Sequence, residues 1–262
     1  MPAEPVALCG GCQRRLRAGT RFCPACGRSA DGSMPAPQRR PEDDTIVRRG
    51  RFDDYWGELK RIAWLYGLLL ALSLAIGLAM RADRSPWLLV GYSAVSAAIV
   101  LAFAAARWRK LLFLFKLHAV DARRWLGIVG ACVLFVVVMA VYFAFLEKLG
   151  VPFFKVTGEI AEAGWPLWAA LVLISVMPAV FEELAFRGVI QSSLERIFNA
   201  RDAWLIQAAL FSLLHLSPII FPSHFAMGLC FGLIRMWSRS LYPGMLLHGA
   251  WNALVVLQEW HG

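Results

Sequence analysis

The chain lacks the short motifs of the commonest nucleophilic, metal-dependent and nucleotide-dependent enzymes: GxSxG, HExxH, the P-loop and the dinucleotide-binding fingerprint. Charge is also scarce, because Asp, Glu, Lys and Arg make up only 17% of the 262 residues. Hydrophobic residues reach 59%, which excludes an ordinary soluble domain with one apolar core. The sequence therefore predicts a membrane protein.

Long apolar runs divide most of the chain into predicted membrane spans of about 20 residues each. Seven such runs occur, at about 62–80, 87–106, 125–146, 165–186 or beyond, 203–216, 219–236 and 241–257. The predicted fold class is therefore an all-α multi-span membrane helical bundle of about seven spans, within residues 62–262.

The orientation of this bundle follows from its basic residues, because cytoplasmic loops carry an excess of Lys and Arg. Alternate loops hold most of these residues, and the richest holds Arg107, Arg109, Lys110, Lys116, Arg123 and Arg124. The first fifty residues contain no apolar core long enough for a cleavable signal peptide, so we expect a cytoplasmic amino terminus. The net charge of +9 follows from this topology and from attraction to anionic lipid, and no nucleic-acid partner is expected.

Four of the six cysteines form the pattern C-x2-C-x10-C-x2-C near the amino terminus: Cys9, Cys12, Cys23 and Cys26. Two CxxC turns present four thiolates in the tetrahedral arrangement that structural zinc requires. Two disulfides are the alternative, but they need an oxidising compartment, and this segment is expected in the reducing cytosol. Residues 1–30 are therefore predicted to be a zinc ribbon, with a structural zinc ion that supplies most of its stability.

Residues 31–61 are predicted to connect this module to the first span. The part up to Pro41 is rich in Pro, Gly, Ser and Arg, which predicts a flexible linker. The remainder mixes charged residues with Ile46, Phe52, Tyr55 and Trp56. This mixture favours an interfacial segment leading into the first span over a specific partner site.

Two adjacent glutamates and an arginine, Glu182, Glu183 and Arg187, interrupt the fourth apolar run. A charge at membrane depth costs at least ~2.5 kcal/mol, so ionisable groups there indicate a functional site. On a helix Glu183 and Arg187 can pair on one face, while Glu182 points about 100° away. The unpaired carboxylate is then a candidate general base. The alternative is an Arg–Glu clamp that only ties two helices together.

Two one-turn pairs follow in the later apolar runs, Phe211 with His215 and His248 with Asn252. A helical hairpin closing near residue 199 would bring His215 to the depth of the glutamates, where it can position water or relay a proton. His248 and Asn252 share a helix face, and both can donate hydrogen bonds to a developing oxyanion. A packing histidine and hydrogen bonds between helices are the alternatives.

Taken together, the three motifs resemble those of the CPBP family, the CaaX-processing and bacteriocin-processing (Abi) membrane proteases. The matches are EExxxR at Glu182, Glu183 and Arg187, FxxxH at Phe211 and His215, and HxxxN at His248 and Asn252. Each motif alone is weak, but three in this order are specific. The resemblance covers residues 171–256, about a third of the chain, and does not include the cysteine-rich module.

The resemblance implies an intramembrane glutamic endopeptidase with its protease core at about 165–257. The implied catalytic residues are Glu182, His215, His248 and Asn252, with Glu183 and Arg187 in support. The first glutamate would activate water with help from the first histidine, and the second histidine and the asparagine would stabilise the oxyanion. Such an enzyme needs no catalytic metal, and we favour this mechanism over a catalytic zinc ion.

The resemblance also implies the partners, which are the lipid bilayer and a membrane-associated protein or peptide substrate. Fusion to a zinc ribbon is typical of prokaryotic architectures, so we expect a prokaryotic inner or plasma membrane and do not assume that CaaX proteins are cleaved. The alternative function is a non-catalytic immunity or scaffold protein of the same fold. Changing Glu182 to Gln separates the two, since a scaffold should tolerate an isosteric amide.

Overall fold

The computed structural model describes residues 7–10, 12–16, 20–23, 29–30, 41–151 and 157–261. The chain divides into two compact units, Met1–Asp54 and Tyr55–Gly262. The predicted boundaries of the zinc ribbon, linker and membrane domain, at residues 30 and 61, stay predictions.

The first unit contains a short antiparallel hairpin. Strands β1 (Ala7–Leu8) and β2 (Arg15–Leu16) pair with each other, and a main-chain hydrogen bond of 2.9 Å from Cys9 N to Arg14 O closes the turn between them. Cys9 and Cys12 therefore both lie in the connection between the two strands.

The second unit is helical, and its elements are joined by short connections. In order the helices are α1 (Pro41–Ala82), α2 (Pro86–Ala105), α3 (Trp108–Leu111), α4 (Ala122–Lys148), α5 (Gly158–Glu162), α6 (Leu167–Ala170), α7 (Met177–Glu183), α8 (Gln191–Leu194), α9 (Ala200–Leu214), α10 (Phe221–Ser238) and α11 (Tyr242–His261). A 3₁₀ turn, Leu112–Phe115, follows α3. Two π-helical segments, Leu171–Val176 and Leu184–Ile190, join α6, α7 and α8 into one helix, Leu167–Leu194.

Among the described residues, four helices are long and apolar enough to cross a membrane: Tyr55–Ala82, Pro86–Ala105, Ala122–Lys148 and Leu167–Leu194. The last three predicted spans form α9, α10 and α11, which have 15, 18 and 20 residues. The first of these is short, and polar residues such as His224, Arg235 and His248 lower the hydropathy of the other two. The structure therefore shows an α-helical protein with four candidate spans and does not show the predicted count of about seven.

Two glycines of α10 set its close contact with α9. A Cβ added to Gly228 would lie 2.7 Å from Ala208 Cα, and one added to Gly232 would lie 2.5 Å from Gln207 Nε2. The Gln207 amide uses this proximity to donate a hydrogen bond of 2.8 Å to Gly228 O. Small residues thus allow the two helices to approach at backbone distance, as in close-packed membrane helices.

A buried carboxylate, Glu58, ties one end of the bundle together. It accepts hydrogen bonds from Arg107 Nη1 and Nη2 at 2.7 and 2.9 Å. Arg61 Nη1 and Arg196 Nη1 donate to the same carboxylate at 2.6 and 2.7 Å. Arg107 also donates to Ser193 Oγ. This network joins the first helix, the end of the second and the end of the helix Leu167–Leu194.

Candidate active site

Glu183 lies at the centre of a buried cluster, with 1% of its side chain exposed. Its Oε1 accepts hydrogen bonds from Arg187 Nη1 at 2.8 Å and from His248 Nδ1 at 3.1 Å. Gly244 leaves room for the other oxygen, because a Cβ at that position would lie 3.0 Å from Glu183 Oε2. The carboxylate is therefore held by one arginine, one histidine and a close turn of α11.

Arg187 is fully buried between two aromatic rings. Its Cζ lies 4.5 Å from the centroid of the Phe211 ring and 5.3 Å from that of Phe231. Desolvated cation–π contacts of this kind contribute about 2 kcal/mol. Nη2 also donates to Met227 O at 3.4 Å, whereas Nε is buried without a hydrogen-bond partner among the described residues. The guanidinium group is thus held by its ion pair with Glu183 and by its cation–π contacts with the two rings.

Phe211, the first residue of the FxxxH motif, packs among the residues of the candidate site. Its buried ring lies 5.1 Å from the rings of Phe186 and His215 and 6.2 Å from that of His248. Its carbonyl oxygen accepts a hydrogen bond from His215 Nδ1 at 2.9 Å. Since Nδ1 carries the hydrogen, a neutral His215 has its free lone pair on Nε2. Phe211 therefore connects both motif histidines to the Arg187 cluster.

Glu182 is placed differently from its neighbour. A quarter of its side chain (25%) is exposed, and its Oε2 lies 3.9 Å from His248 Nε2. Within the part of the chain that the structure describes, the Glu182 side chain makes no hydrogen bond. His248 thus stands between the two glutamates, with Nδ1 toward Glu183 and Nε2 toward Glu182. One carboxylate with two side-chain hydrogen bonds and one carboxylate with none thus lie side by side.

Asn252 connects α11 to the helix that carries the glutamates. Its Nδ2 donates a hydrogen bond of 3.0 Å to Ile174 O. Ile174 precedes Pro178 by four residues, and proline has no amide hydrogen with which to bond that carbonyl in an α-helix. Asn252 supplies a donor in its place. The second hydrogen of Nδ2 stays available for another acceptor.

The helix that carries the glutamates departs from the regular α-helix assumed from the sequence. Its π-helical segments are closed by i to i+5 hydrogen bonds, from Met177 N to Val172 O and from Gln191 N to Phe186 O. They lie immediately before and after α7, which ends at Glu183. Such wide turns are frequent at functional sites, and the residue spacing alone does not indicate them.

Sequence reasoning missed His224, which belongs to none of the three motifs. Its ring centroid lies 3.9 Å from that of His215, and its Nδ1 donates to Ile220 O at 3.0 Å. The short connection between α9 and α10 could have indicated this contact. This short connection brings His215, at the end of α9, into contact with His224, in the first turn of α10.

The amino-terminal thiols of Cys9, Cys12 and Cys23 lie within 4.8 Å of one another and can hold a metal ion. The Cys12 and Cys23 sulfurs are 3.6 Å apart, close to the ~3.8 Å between two sulfurs that bind one tetrahedral zinc at 2.3 Å. The predicted fourth ligand, Cys26, lies outside the described residues. Nowhere else in the described chain do three metal-ligating side chains come this close together.

Comparison with known families gives a match to the segment that carries the three motifs. The family model described as "Type II CAAX prenyl endopeptidase Rce1-like" matches residues 164–254, about a third of the chain. A comparison with curated proteins gave no significant match, and a comparison with solved structures gave none either. The match confirms the family resemblance seen in the three motifs, over nearly the same residues. Together with the four candidate spans, it indicates an integral membrane protein. The chain therefore contains an enzyme domain of the Rce1-like type II CAAX prenyl endopeptidase family, a family of membrane proteases.

Proposed function

We propose that the protein is an intramembrane endopeptidase that hydrolyses a peptide bond of a membrane-associated protein or peptide, with water activated by Glu182 and His215. The observation that carries this proposal is the difference between the adjacent glutamates. Oε1 of Glu183 is occupied by hydrogen bonds of 2.8 and 3.1 Å, whereas Glu182 is partly exposed and keeps its oxygens available for water. A general base must be within hydrogen-bond reach of the proton that it removes.

In the proposed reaction Glu182 removes one proton from a water molecule whose position His215 Nε2 helps to fix. The water oxygen then bonds to the carbonyl carbon, and the carbonyl oxygen becomes an oxyanion. When the C–N bond breaks, the proton held by Glu182 passes to the leaving nitrogen. The products are a carboxylic acid and an amine, and the Glu182 carboxylate is regenerated.

His248 and Asn252 are the proposed oxyanion donors, and their contacts limit how they can act. His248 already donates from Nδ1 to Glu183, so it donates from Nε2 only when its ring carries both hydrogens. Asn252 donates one Nδ2 hydrogen to Ile174 O and keeps the other. Loss of one such donor typically costs ~2.7 to 4 kcal/mol of transition-state stabilisation. Glu183 and Arg187 would position the site.

The proposed mechanism needs no catalytic metal. A catalytic zinc ion held by glutamate and histidine would need three ligand atoms around one point. The test uses a variant that lacks the amino-terminal thiols. If this variant is active, and if a chelator abolishes its activity and zinc restores it, the catalytic zinc ion is favoured.

The decisive experiment compares Glu182→Gln with the wild-type protein. A proteomic comparison of membranes that contain either form identifies candidate substrates, and cleavage is then measured with purified proteins. We expect the rate to fall by ~10² or more while the protein still folds, because the amide keeps the shape but loses basicity. Glu147→Gln, on the exposed end of α4, is the matched control. A wild-type rate for Glu182→Gln would contradict the proposal and favour the non-catalytic scaffold.

We also propose that α9, α10 and α11 lie in the membrane, which gives seven spans with a cytoplasmic amino terminus. The support is the clustering of basic residues in alternate loops. In the same topology Cys26 completes a structural zinc site with the three described thiols, and the bilayer is a prokaryotic inner or plasma membrane. Reporter fusions at the two termini test the topology, since an odd number of spans places the termini on opposite sides.

A further inference from the structure

A cavity of about 410 Å³ lies at the end of the bundle where α3 follows α2 and where α10 ends. Its polar lining comes from Lys110 in α3, Ser192 in α8, Glu195 directly after α8, and Arg235 and Arg239 at the end of α10. None of these residues belongs to the candidate active site.

The cavity has an excess of positive charge. Its carboxylate, Glu195, is engaged by Arg235 Nη1 at 2.5 Å and by Gln191 Nε2 at 3.2 Å. Neither Lys110 nor Arg239 takes part in any ion pair of the described residues. Arg235 donates its Nη2 to Ser192 at 2.7 Å, while its Nε is buried without a hydrogen-bond partner in the described chain. The cavity therefore contains two cations without an ion-pair partner among the described residues, beside the Arg235 guanidinium group.

The surroundings increase this excess of charge. Lys110 is exposed, and partial desolvation together with the nearby guanidinium groups of Arg196 and Arg107 lowers the pKa of its ammonium group, against the attraction of Glu58. Arg239 adopts a left-handed backbone conformation with φ of 54°, which glycine adopts more easily. The end of α10 therefore places a cation beside the cavity, at a position whose backbone conformation favours glycine.

Apolar side chains complete the lining. Phe113, Leu114 and Met236 line the same cavity, and Phe113 is 47% exposed. Basic groups beside an apolar wall match a phospholipid, whose charged phosphate adjoins its acyl chains. A small soluble phosphate compound would use the cations and leave the apolar wall uncovered.

We propose that this cavity binds the phosphate group of an anionic phospholipid headgroup, with Lys110, Arg235 and Arg239 as its ligands. Arginine and lysine side chains are the usual protein partners of phosphate, and basic pockets between membrane helices bind anionic headgroups. This site does not depend on the proposed protease activity, and its test measures binding.

The test uses the full-length protein purified in neutral detergent. Isothermal titration calorimetry measures the binding of short-chain phosphatidylglycerol, with inorganic phosphate in a second arm to separate the lipid from free phosphate. The cavity variant carries Lys110→Gln and Arg239→Gln. The matched control carries Arg123→Gln and Arg201→Gln, which remove the same charge from exposed positions outside the cavity. Circular dichroism and size exclusion establish that both variants fold.

We expect the cavity variant to bind phosphatidylglycerol about 25-fold more weakly, since each of the two basic side chains contributes about a factor of five. The control should bind like the wild type. If the wild-type protein bound inorganic phosphate as tightly as phosphatidylglycerol, the phospholipid would be overturned as the ligand of this cavity. Equal affinities for the cavity variant and the control, or no binding by the wild-type protein, would overturn the proposal.

Discussion

Replacing Arg187 by methionine should strongly destabilise the membrane unit. The change leaves the Glu183 carboxylate, 1% exposed, without the guanidinium group that now lies 2.8 Å away. An unpaired buried charge of this kind costs about 3 to 5 kcal/mol. The contacts with the Phe211 and Phe231 rings are also lost, although methionine refills part of the space. We therefore expect a loss of about 4 kcal/mol in the free energy of unfolding.

A double-mutant cycle separates the charge from the packing. Glu183→Gln removes the charge while its amide oxygen still accepts from His248. The double variant with Arg187→Met should therefore be at least ~2 kcal/mol more stable than Arg187→Met alone. The measurement is reversible unfolding in mixed micelles, followed by circular dichroism. Arg124→Met is the matched control, because its pair with Asp121 is about half exposed and contributes no more than about 1 kcal/mol.

Two results would refute this reasoning. If Arg187→Met costs no more than Arg124→Met, the buried pair does not hold the site together. If the double variant is no more stable than Arg187→Met, the unpaired Glu183 carboxylate is not the cause of the loss.

Further predictions concern the surroundings of this cluster and the cysteine module. Gly244→Ala should lower the folded yield and the cleavage rate, because its Cβ would lie 3.0 Å from the buried Glu183 carboxylate. Gly130→Ala is the control, because a Cβ there has open space, and it should be neutral. Equal yields of the two variants in size exclusion would contradict this prediction. His224→Ala should reduce the cleavage rate by up to ~10², because the neighbouring His215 ring would be misplaced. His224→Phe keeps a ring at this position and should recover most of the rate. Equal rates for the two variants would exclude a positioning role for His224. Metal analysis of the full chain should find one zinc ion per molecule, lost in Cys23→Ser and kept in Cys132→Ser; zinc retained in Cys23→Ser would contradict the thiol site.

The sequence predicted those features of the site that depend on one helix. Residues four apart share a helix face, so the pairing of Glu183 with Arg187 and the direction of Glu182 away from it followed from spacing. The family resemblance was likewise carried by three such spacings, and the family match covers the same segment. The catalytic roles assigned to these residues stay predictions.

Features that depend on distances between helices could not be predicted in this way. Glu183 lies close to Gly244, and Asn252 donates to Ile174 O, although the residues of each pair are far apart in the sequence. The π-helical turns beside α7 have no residue pattern of their own. The count of spans was difficult for a physical reason: the polar residues that form the site, such as His248, also lower the hydropathy by which a span is recognised.

The Glu58 network shows how much of the chain the protease domain needs. The family match begins at residue 164, yet Arg196, inside the matched segment, donates to a carboxylate more than a hundred residues earlier. A shortened chain that begins after Glu58 would leave Arg107 and Arg196 as facing cations with no acid between them. The smallest self-sufficient membrane unit should therefore begin near Tyr55, where the second compact unit starts, and the first two membrane helices belong to the enzyme as much as the matched segment does.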